Sequence, residues 1–350
     1  MKIYYLSDKW SWLGGHSSYG RLPSYTRDAG HEVQNTEIQY GLSQRCIGRA
    51  YSIFHGWPWR RDSVFAAGEF SFLRRLSALN DSTSICHVLY FDNHHYLWER
   101  WKKSPKNMVC TIHHPPPRDI PPRMLRNLKR VSSAIVLTKR DLEFYESLIG
   151  RGNVRFIRHG VDTDFFYPDA GKYARPPRLM FTGQNGRNVR MLYRVIESMA
   201  KRRTDLRFDL LVREERIKTD GLERLLRHPS VVWHHDISDE ELRGLYRASY
   251  LLLLPMNEMS ANNAIVEALA SGVPVVTTDV GGVGDYGGGS IYPIVANDDD
   301  DSMLSLIEKY LHQPSWRDEI AFRCRKFAEE ALAWPLIAER HIKVYKDMLV

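Results

Sequence analysis

Residues 262–272, with the sequence NNAIVEALASG, combine a polar turn, an acidic side chain and the features of a helix start. The two asparagines before an apolar run predict where this helix begins, and Gly272 predicts its end before a buried strand. Free backbone amides at a helix start suit a diphosphate. A carboxylate one turn in, at Glu267, can accept hydrogen bonds from two ribose hydroxyls. The segment therefore predicts a nucleotide-binding corner, with a surface-facing helix glutamate as the alternative.

Two arginines follow a second short apolar strand, 179–182, which ends in Gly183. Arg187 and Arg190 follow that glycine within reach, and guanidinium groups can hold phosphate in a bidentate manner. Ordinary helix-surface charge is the competing interpretation. If the first interpretation holds, these arginines serve the same anionic ligand as the Glu267 segment.

The first half of the chain contains weaker signals. Gly14 and Gly15 follow the first predicted strand, and glycines there let a ligand approach the backbone, although a plain turn explains them equally well. No GxGxxG pattern is present, so nicotinamide binding gains little support. Paired histidines occur at His94 with His95 and at His113 with His114, but no His-x3-His spacing or acidic set completes a metal site.

The elements that must position these residues alternate between short apolar runs and helical patterns, which predicts an α/β chain with parallel sheets. Ten strands divide more plausibly between two sheets than into one. Prolines and glycines near 168–177 mark the boundary, and helices alone follow residues 298–301. The predicted strands are 2–6, 85–90, 108–112, 134–137, 154–157, 179–182, 207–212, 231–234, 250–254 and 273–277.

Charge is distributed unevenly along the 350 residues. The net charge is +7, but residues 1–160 carry 24 Lys and Arg against 13 Asp and Glu, whereas residues 161–350 carry 25 against 29. The basic half, with aromatic residues and arginines mixed in 51–61, predicts an anionic partner such as a membrane surface; core packing is the alternative. Four cysteines without a CxxC pair, and the lack of a long apolar run, predict a cytoplasmic protein with no spanning helix.

Two segments carry a resemblance to a known family. Residues 160–168, GVDTDFFYP, are similar to the GVDxxxFxP element of the family-4 retaining glycosyltransferases, the glycosyl transferases group 1, and 262–272 resembles their donor-binding segment. The resemblance implies an α/β GT-B fold of two Rossmann-like domains with parallel sheets that face an interdomain cleft. The implied domains are 1–165 for the acceptor and 166–332 for the nucleotide sugar, with a helix at 333–350 that returns to the first domain.

The resemblance also implies the site residues, with two departures from the family pattern. The family has a glutamate eight positions before Glu267, where this chain has Met259 preceded by Glu258, and Gln184 replaces an expected arginine. His113 matches the histidine of a Thr-x-His element beside the donor sugar. The implied catalytic residues are His113, Arg187 and Glu267; those that bind the donor are Gly14, Gly15, Gly183, Arg187, Arg190, Glu258, Ser260, Asn262, Asn263, Ala264 and Glu267; those on the acceptor side are His16, His94, His95 and His114.

The implied reaction is transfer of a hexose, with retention, from a UDP- or GDP-type sugar to a hydroxyl of a saccharide, a lipid-linked molecule or another small acceptor. The resemblance implies no cofactor and no metal, and it leaves peripheral contact with an anionic membrane open. A GT-B enzyme of other chemistry, such as a nucleotide-sugar epimerase, is the first alternative. A basic nucleic-acid-binding protein is the second, although the sequence contains no nucleic-acid motif.

Overall fold

The computed structural model describes residues 1–10, 14–39, 42, 46, 49–50, 62–77, 83–94, 107–116, 120–169, 173–219 and 221–349. These residues divide into two compact units. The first contains residues 1–13, 18–158 and the segment from Trp334 onward; the second contains residues 14–17 and 159–333. None of the helices in the described part of the chain combines the length and apolar character that crossing a bilayer requires.

The first unit is built on a six-stranded sheet in which every neighbouring pair is parallel, in the order β2-β1-β3-β4-β5-β6. Its inner strands are almost wholly buried, as expected for a parallel sheet covered on both faces. The strands are β1 Lys2–Lys9, β2 Glu32–Gln39, β3 Ile85–Val88, β4 Met108–Ile112, β5 Ser133–Val136 and β6 Val154–Phe156. The helices are Leu22–Asp28, Asp62–Ser77, Pro122–Leu128, Leu142–Ile149 and Trp334–Asp347.

The C-terminal helix, Trp334–Asp347, belongs to this first unit, and buried polar contacts hold it there. Tyr345 accepts or donates a hydrogen bond with Tyr5 at 3.1 Å and with His87 Nδ1 at 2.6 Å. The Tyr19 hydroxyl lies 2.6 Å from His341 Nε2, and the Trp334 ring meets the edge of Tyr19. These paired polar groups explain how the helix buries histidine and tyrosine without loss of hydrogen bonding.

The second unit also contains a six-stranded sheet. Its strand order is β12-β11-β10-β7-β8-β9, and every neighbouring pair is parallel. Leu251–Leu254 lies at its centre and is fully buried. The strands are β7 Arg178–Thr182, β8 Arg207–Leu211, β9 Val231–His234, β10 Leu251–Leu254, β11 Val275–Thr278 and β12 Ile294–Val295. The helices are Val189–Arg202, Glu214–Thr219, Asp239–Ala248, Asn263–Ala270, Asp300–His312 and Pro314–Phe327.

Two parallel six-stranded sheets confirm the predicted α/β class. All ten predicted strands are present, with ends that differ by up to three residues, and two further strands among the described residues were not predicted. Both are edge strands: Glu32–Gln39 is rich in polar residues, and Ile294–Val295 has only two residues. An edge strand buries less of its surface, so its sequence carries a weaker apolar signal.

Candidate active site

The helix Asn263–Ala270 follows the loop after central strand β10, and its residues from Ala264 to Ala270 are all buried. Asn262 is the N-cap: its backbone is extended, and its side-chain oxygen accepts the Ala264 N–H at 3.0 Å. Ser260, two residues before the cap, is buried as well. The cap satisfies one of the amides that a helix start leaves unpaired, and the others suit an anionic group.

Glu267 lies one turn into this helix and is 4% exposed. The Tyr246 hydroxyl donates to Oε2 at 2.9 Å, whereas Oε1 accepts no hydrogen bond from the described residues. Burial raises the pKa of Glu267 to about 7, and the neighbouring hydroxyls of Ser17 and Tyr246 oppose that rise. The carboxyl group therefore changes its charge near neutral pH, and its second oxygen can accept a ligand hydroxyl.

Met259 and Glu258, which stand where the family has its first glutamate, differ in exposure. Met259 is buried and its carbonyl accepts the Gly282 N–H at 2.8 Å, so it serves the packing of the loop. Glu258 is exposed, and its carbonyl lies where a Cβ on Gly186 would fall. Ser260 and Asn262, rather than an acidic side chain, are the buried polar residues between Met259 and the helix.

Arg187 folds back over the turn that ends β7. Its guanidinium donates to the carbonyls of Thr182 and Asn185 at 2.9–3.0 Å and lies 3.5 Å from Asn262 Oδ1. Gly183 adopts a φ of +81°, and a Cβ there would fall 2.3 Å from Arg187 Nη2. Burial lowers the pKa of Arg187 to about 10, which leaves the group charged at neutral pH. The structure thus brings Gly183, Arg187 and Asn262 together.

Arg190 and Gln184 occupy different surroundings. Arg190 is exposed on the first turn of its helix, where its charge acts on Asp298. Gln184, at the position of the missing family arginine, accepts a hydrogen bond from Arg213 Nη2 at 3.2 Å. Arg213 follows strand β8, the neighbour of β7, and supplies a cation beside Gln184 that the sequence analysis missed. Its only sequence signal was a basic residue after a strand end.

Residues 14–17 make their contacts within the second unit. The Gly15 N–H donates to Asp239 Oδ2 at 2.8 Å, and Asn263 Nδ2 donates to the Ser17 carbonyl at 3.4 Å. Asp239 begins the helix Asp239–Ala248, the same helix that carries Tyr246. One helix therefore contacts both the glycine loop and Glu267, a connection that residue spacing did not reveal.

His16, predicted on the acceptor side, is held by the residues of the GVD segment. Its Nδ1 lies 2.7 Å from Asp162 Oδ2, and its ring stacks on Phe165 with 3.6 Å between centroids. Arg243 packs on the same Phe165 ring, 4.6 Å from its centroid. Asp162 is buried and also accepts the Phe165 N–H, so the GVD aspartate organises both its own turn and the imidazole.

We expect Gly14→Ala to displace this loop. A Cβ at position 14 would lie 1.5 Å from Asp239 Oδ1, far inside contact distance, and Asp239 is the acceptor for Gly15. The resemblance implies a nucleotide-sugar ligand here, and its affinity should fall about 10-fold while the melting temperature changes little, since the loop contributes few buried apolar groups. Calorimetric titration measures the affinity. Gly244→Ala, where a Cβ meets nothing, is the control, and equal affinities would contradict the prediction.

His113 follows β4 in the first unit, and its ring is fixed on several sides. Nε2 lies 2.8 Å from the Leu89 carbonyl, which can only accept, so this nitrogen carries a proton. The backbone N–H donates to Asp92 Oδ2 at 2.7 Å, and the ring stacks on Tyr90 and meets Tyr19 edge-on. This geometry suits a group that orients a ligand rather than one that removes a proton through Nε2.

The remaining candidate histidines are dispersed. His94 is fully buried with Nε2 2.7 Å from Asp8 Oδ1, so any influence on an acceptor would pass through its neighbours. His114 is exposed, and its N–H donates to Asp92 Oδ1 at 3.3 Å. His95 and residues 51–61 lie outside the described residues. Within the described part of the chain, no group of three His, Cys, Asp or Glu side chains is placed to hold a metal ion.

Comparison with known proteins agrees with the predicted resemblance over the second unit, where residues 176–313 match the family model described as glycosyl transferases group 1. The chain is 20% identical over 272 residues to the MMP alpha-(1->4)-mannosyltransferase of Mycolicibacterium hassiacum, covering 69% of this chain and 66% of that one. It is 26% identical over 188 residues to the D-inositol 3-phosphate glycosyltransferase of Streptomyces avermitilis, covering 46% and 40%. The chain thus spans less than two thirds of these relatives' lengths.

Solved structures share the fold over nearly the full chain. Sucrose-phosphate synthase from Thermosynechococcus elongatus superposes with a TM-score of 0.78 at 16% identity, covering 99% of this chain and 98% of that one. Alr3699/HepE from Anabaena, solved in complex with UDP-glucose, superposes with a TM-score of 0.71 at 13% identity, covering 99% and 100%. At these identities the likeness establishes the fold, which is that of the GT-B glycosyltransferases.

Proposed function

We propose that this chain, whose residues 176–313 match the group 1 glycosyltransferase model, transfers a hexose from a nucleoside-diphosphate sugar to an acceptor hydroxyl. One observation carries the proposal: Glu267, Asn262 and Arg187 surround a capped helix start within a single unit. The helix start and Arg187 offer positive charge to a diphosphate, and Glu267 offers an acceptor to ribose hydroxyls. An Anabaena neighbour solved with UDP-glucose supports a donor of this class.

In the proposed reaction, the bond between the anomeric carbon and the diphosphate oxygen breaks while a bond to the acceptor oxygen forms on the same face. The acceptor proton passes to the departing diphosphate, so no protein nucleophile is needed. Negative charge develops on the diphosphate, where Arg187 and the helix start stabilise it by preorganised electrostatics. His113, whose Nε2 is occupied by Leu89, would orient the sugar.

The acceptor is proposed to meet the basic first unit. That half of the chain has the excess of Lys and Arg, so an anionic or lipid-linked saccharide fits its charge. Sedimentation with neutral and anionic vesicles tests the membrane component. Equal binding to both kinds of vesicle, or binding to neither, would rule out contact with an anionic membrane.

A thermal-shift screen with UDP, GDP, ADP and TDP tests the donor class, because a bound nucleotide raises the unfolding temperature according to its concentration over Kd. The matching sugar nucleotide is then incubated with glycan and lipid acceptors, and the anomeric configuration of the product is read by NMR. We expect one base to stabilise the chain and the product to retain configuration. Stabilisation by none of the four contradicts the proposal.

Donor consumption without an acceptor would indicate the epimerase alternative, and salt-sensitive retention of DNA or RNA would indicate the nucleic-acid alternative.

We expect His113→Ala to lower kcat about 10- to 100-fold and to change the donor KM less than threefold. The reason is that an orienting group acts mainly in the transition state, and its loss leaves ground-state binding largely intact. Steady-state kinetics at varied donor concentration separate the two constants. His312→Ala, on an exposed helix end, is the control. A large rise in KM with an unchanged kcat would contradict the orienting role.

A further inference from the structure

The helix Asp239–Ala248 has a face that does more than cover the sheet. Asp239, Arg243 and Tyr246 follow one another at helical spacing, and each contacts part of the candidate site. Asp239 holds the Gly15 amide, Arg243 lies over Phe165, and Tyr246 donates to Glu267. None of these three residues has a role in the proposed chemistry.

Tyr246 is the most deeply placed of them, with no exposed surface. Its hydroxyl donates to Glu267 Oε2 at 2.9 Å and approaches the Ala264 carbonyl at 3.4 Å, so it bridges the capped first turn and the carboxyl group. A buried tyrosine with two such acceptors is fixed in direction, and the carboxyl plane of Glu267 is fixed with it. As a result, Oε2 is used internally, whereas Oε1 is not.

A second observation concerns Glu267 Oε1 and the residue beside it. Glu267 Oε1 and the Ser17 hydroxyl oxygen are both buried; the hydroxyl lies close enough to the carboxyl group to favour its charged form, but neither atom makes a well-formed hydrogen bond with the described residues. Two neighbouring buried polar atoms that lack partners are costly in free energy unless something satisfies them. A ligand hydroxyl between them would donate to Oε1 and accept from Ser17.

From this geometry we propose that Tyr246 is a positioning residue: it anchors Glu267 Oε2 so that Oε1, with Ser17, receives one hydroxyl of the donor's ribose. The inference rests on the proposed function, since it concerns the same nucleotide site. It adds two residues, Tyr246 and Ser17, that spacing and resemblance did not assign.

The charged and titratable groups around Glu267 determine how this role appears in a pH titration. Tyr246 and Ser17 face the carboxyl group, the Asp239 carboxylate acts on it from the same helix as Tyr246, and Arg187 acts on Tyr246. The Tyr246 hydrogen bond favours the charged form of Glu267. Its removal should therefore raise the pKa of Glu267 further and move the titration to higher pH.

The test compares Tyr246→Phe with the wild-type chain in calorimetric titrations with the stabilising sugar nucleotide between pH 5.5 and 8.5. We expect about 10-fold weaker binding at pH 7.5 and a binding midpoint shifted upward by about one pH unit. Tyr250→Phe is the matched control, because Tyr250 is also buried and donates to a backbone carbonyl, that of Tyr310 at 2.7 Å. The control should lose thermal stability but keep the wild-type affinity and midpoint.

Each outcome either supports or overturns the positioning role of Tyr246. If Tyr246→Phe loses only thermal stability, as the control does, Tyr246 is a packing residue and the proposal is overturned while the proposed function stands. If wild-type chain binds no sugar nucleotide at any pH, both fall together. Ser17→Ala provides an independent arm: it should weaken binding about threefold to 10-fold and also move the midpoint to higher pH, since the Ser17 hydroxyl likewise favours the charged form of Glu267. Wild-type affinity would remove Ser17 from the site.

Discussion

Glu267→Gln is expected to weaken binding of the sugar nucleotide by about 100-fold at pH 8 and, at the same pH, to stabilise the folded chain. The loss of binding follows because a charged carboxylate accepts hydroxyl hydrogen bonds about twice as strongly as a neutral amide. The gain in stability follows because the wild-type chain buries that charge at a cost. Calorimetric titration and thermal unfolding measure the two effects.

The size of the stability effect follows from the raised pKa. A carboxyl whose pKa is about 7 in the folded state and 4.5 when unfolded favours folding below pH 4.5, and this contribution is lost as the pH rises through about 7. At pH 8 the difference corresponds to about 3 kcal/mol in the free energy of unfolding. Glu267→Gln should remove much of this pH dependence, whereas Glu319→Gln, on an exposed helix surface, should leave it intact.

Binding should show the opposite dependence on pH. The ionised carboxyl accepts a ribose hydroxyl far more strongly than the protonated one, so the affinity for a sugar nucleotide should fall about 10-fold per pH unit below about 7. Nucleotide sugars suit this measurement because their diphosphate does not titrate in this range. The affinity of the Glu267→Gln variant for the sugar nucleotide should be almost independent of pH. A wild-type affinity that is flat from pH 5.5 to 8 would contradict the assignment of Glu267.

Arg187→Met is expected to lower kcat by about 100- to 1,000-fold and to weaken donor binding. The guanidinium holds the turn after β7 through Thr182 and Asn185 and places its charge beside Asn262. Loss of one preorganised group that stabilises developing charge commonly has an effect of this size. Steady-state kinetics with the stabilising sugar nucleotide measure it.

The control for Arg187 is Arg202→Met, which removes the same charge from the exposed end of the following helix. It should keep wild-type kinetics. Arg190→Met should have a far smaller effect than Arg187→Met, since Arg190 is exposed and lies on the side of Asp298. If Arg190→Met were the more damaging variant, the diphosphate would lie farther along the helix than proposed. A melting temperature within a few degrees of wild type separates catalysis from misfolding.

Local signals were sufficient for much of the fold. Buried parallel strands such as Leu251–Leu254 are continuous apolar runs, and Asn262 before an apolar segment marks a helix start, so both follow from adjacent residues. Strand Glu32–Gln39 was missed because an edge strand keeps polar residues on its exposed side. The limits of that element depend on its pairing with β1, which no local pattern encodes.

The candidate site, like the fold, could be predicted from the sequence only in part. The sequence by itself was enough to predict Glu267, Arg187 and the capping Asn262 as candidate residues, because each stands in a short segment whose strand-end or helix-start pattern is local. Only the tertiary structure decided which partners set their behaviour. Tyr246 and Asp239 meet Glu267 and Gly15 across 21 and 224 residues of sequence. Burial and hydrogen bonding, which set the pKa of a carboxyl group, arise from packing between such distant segments and are absent from any single stretch of chain.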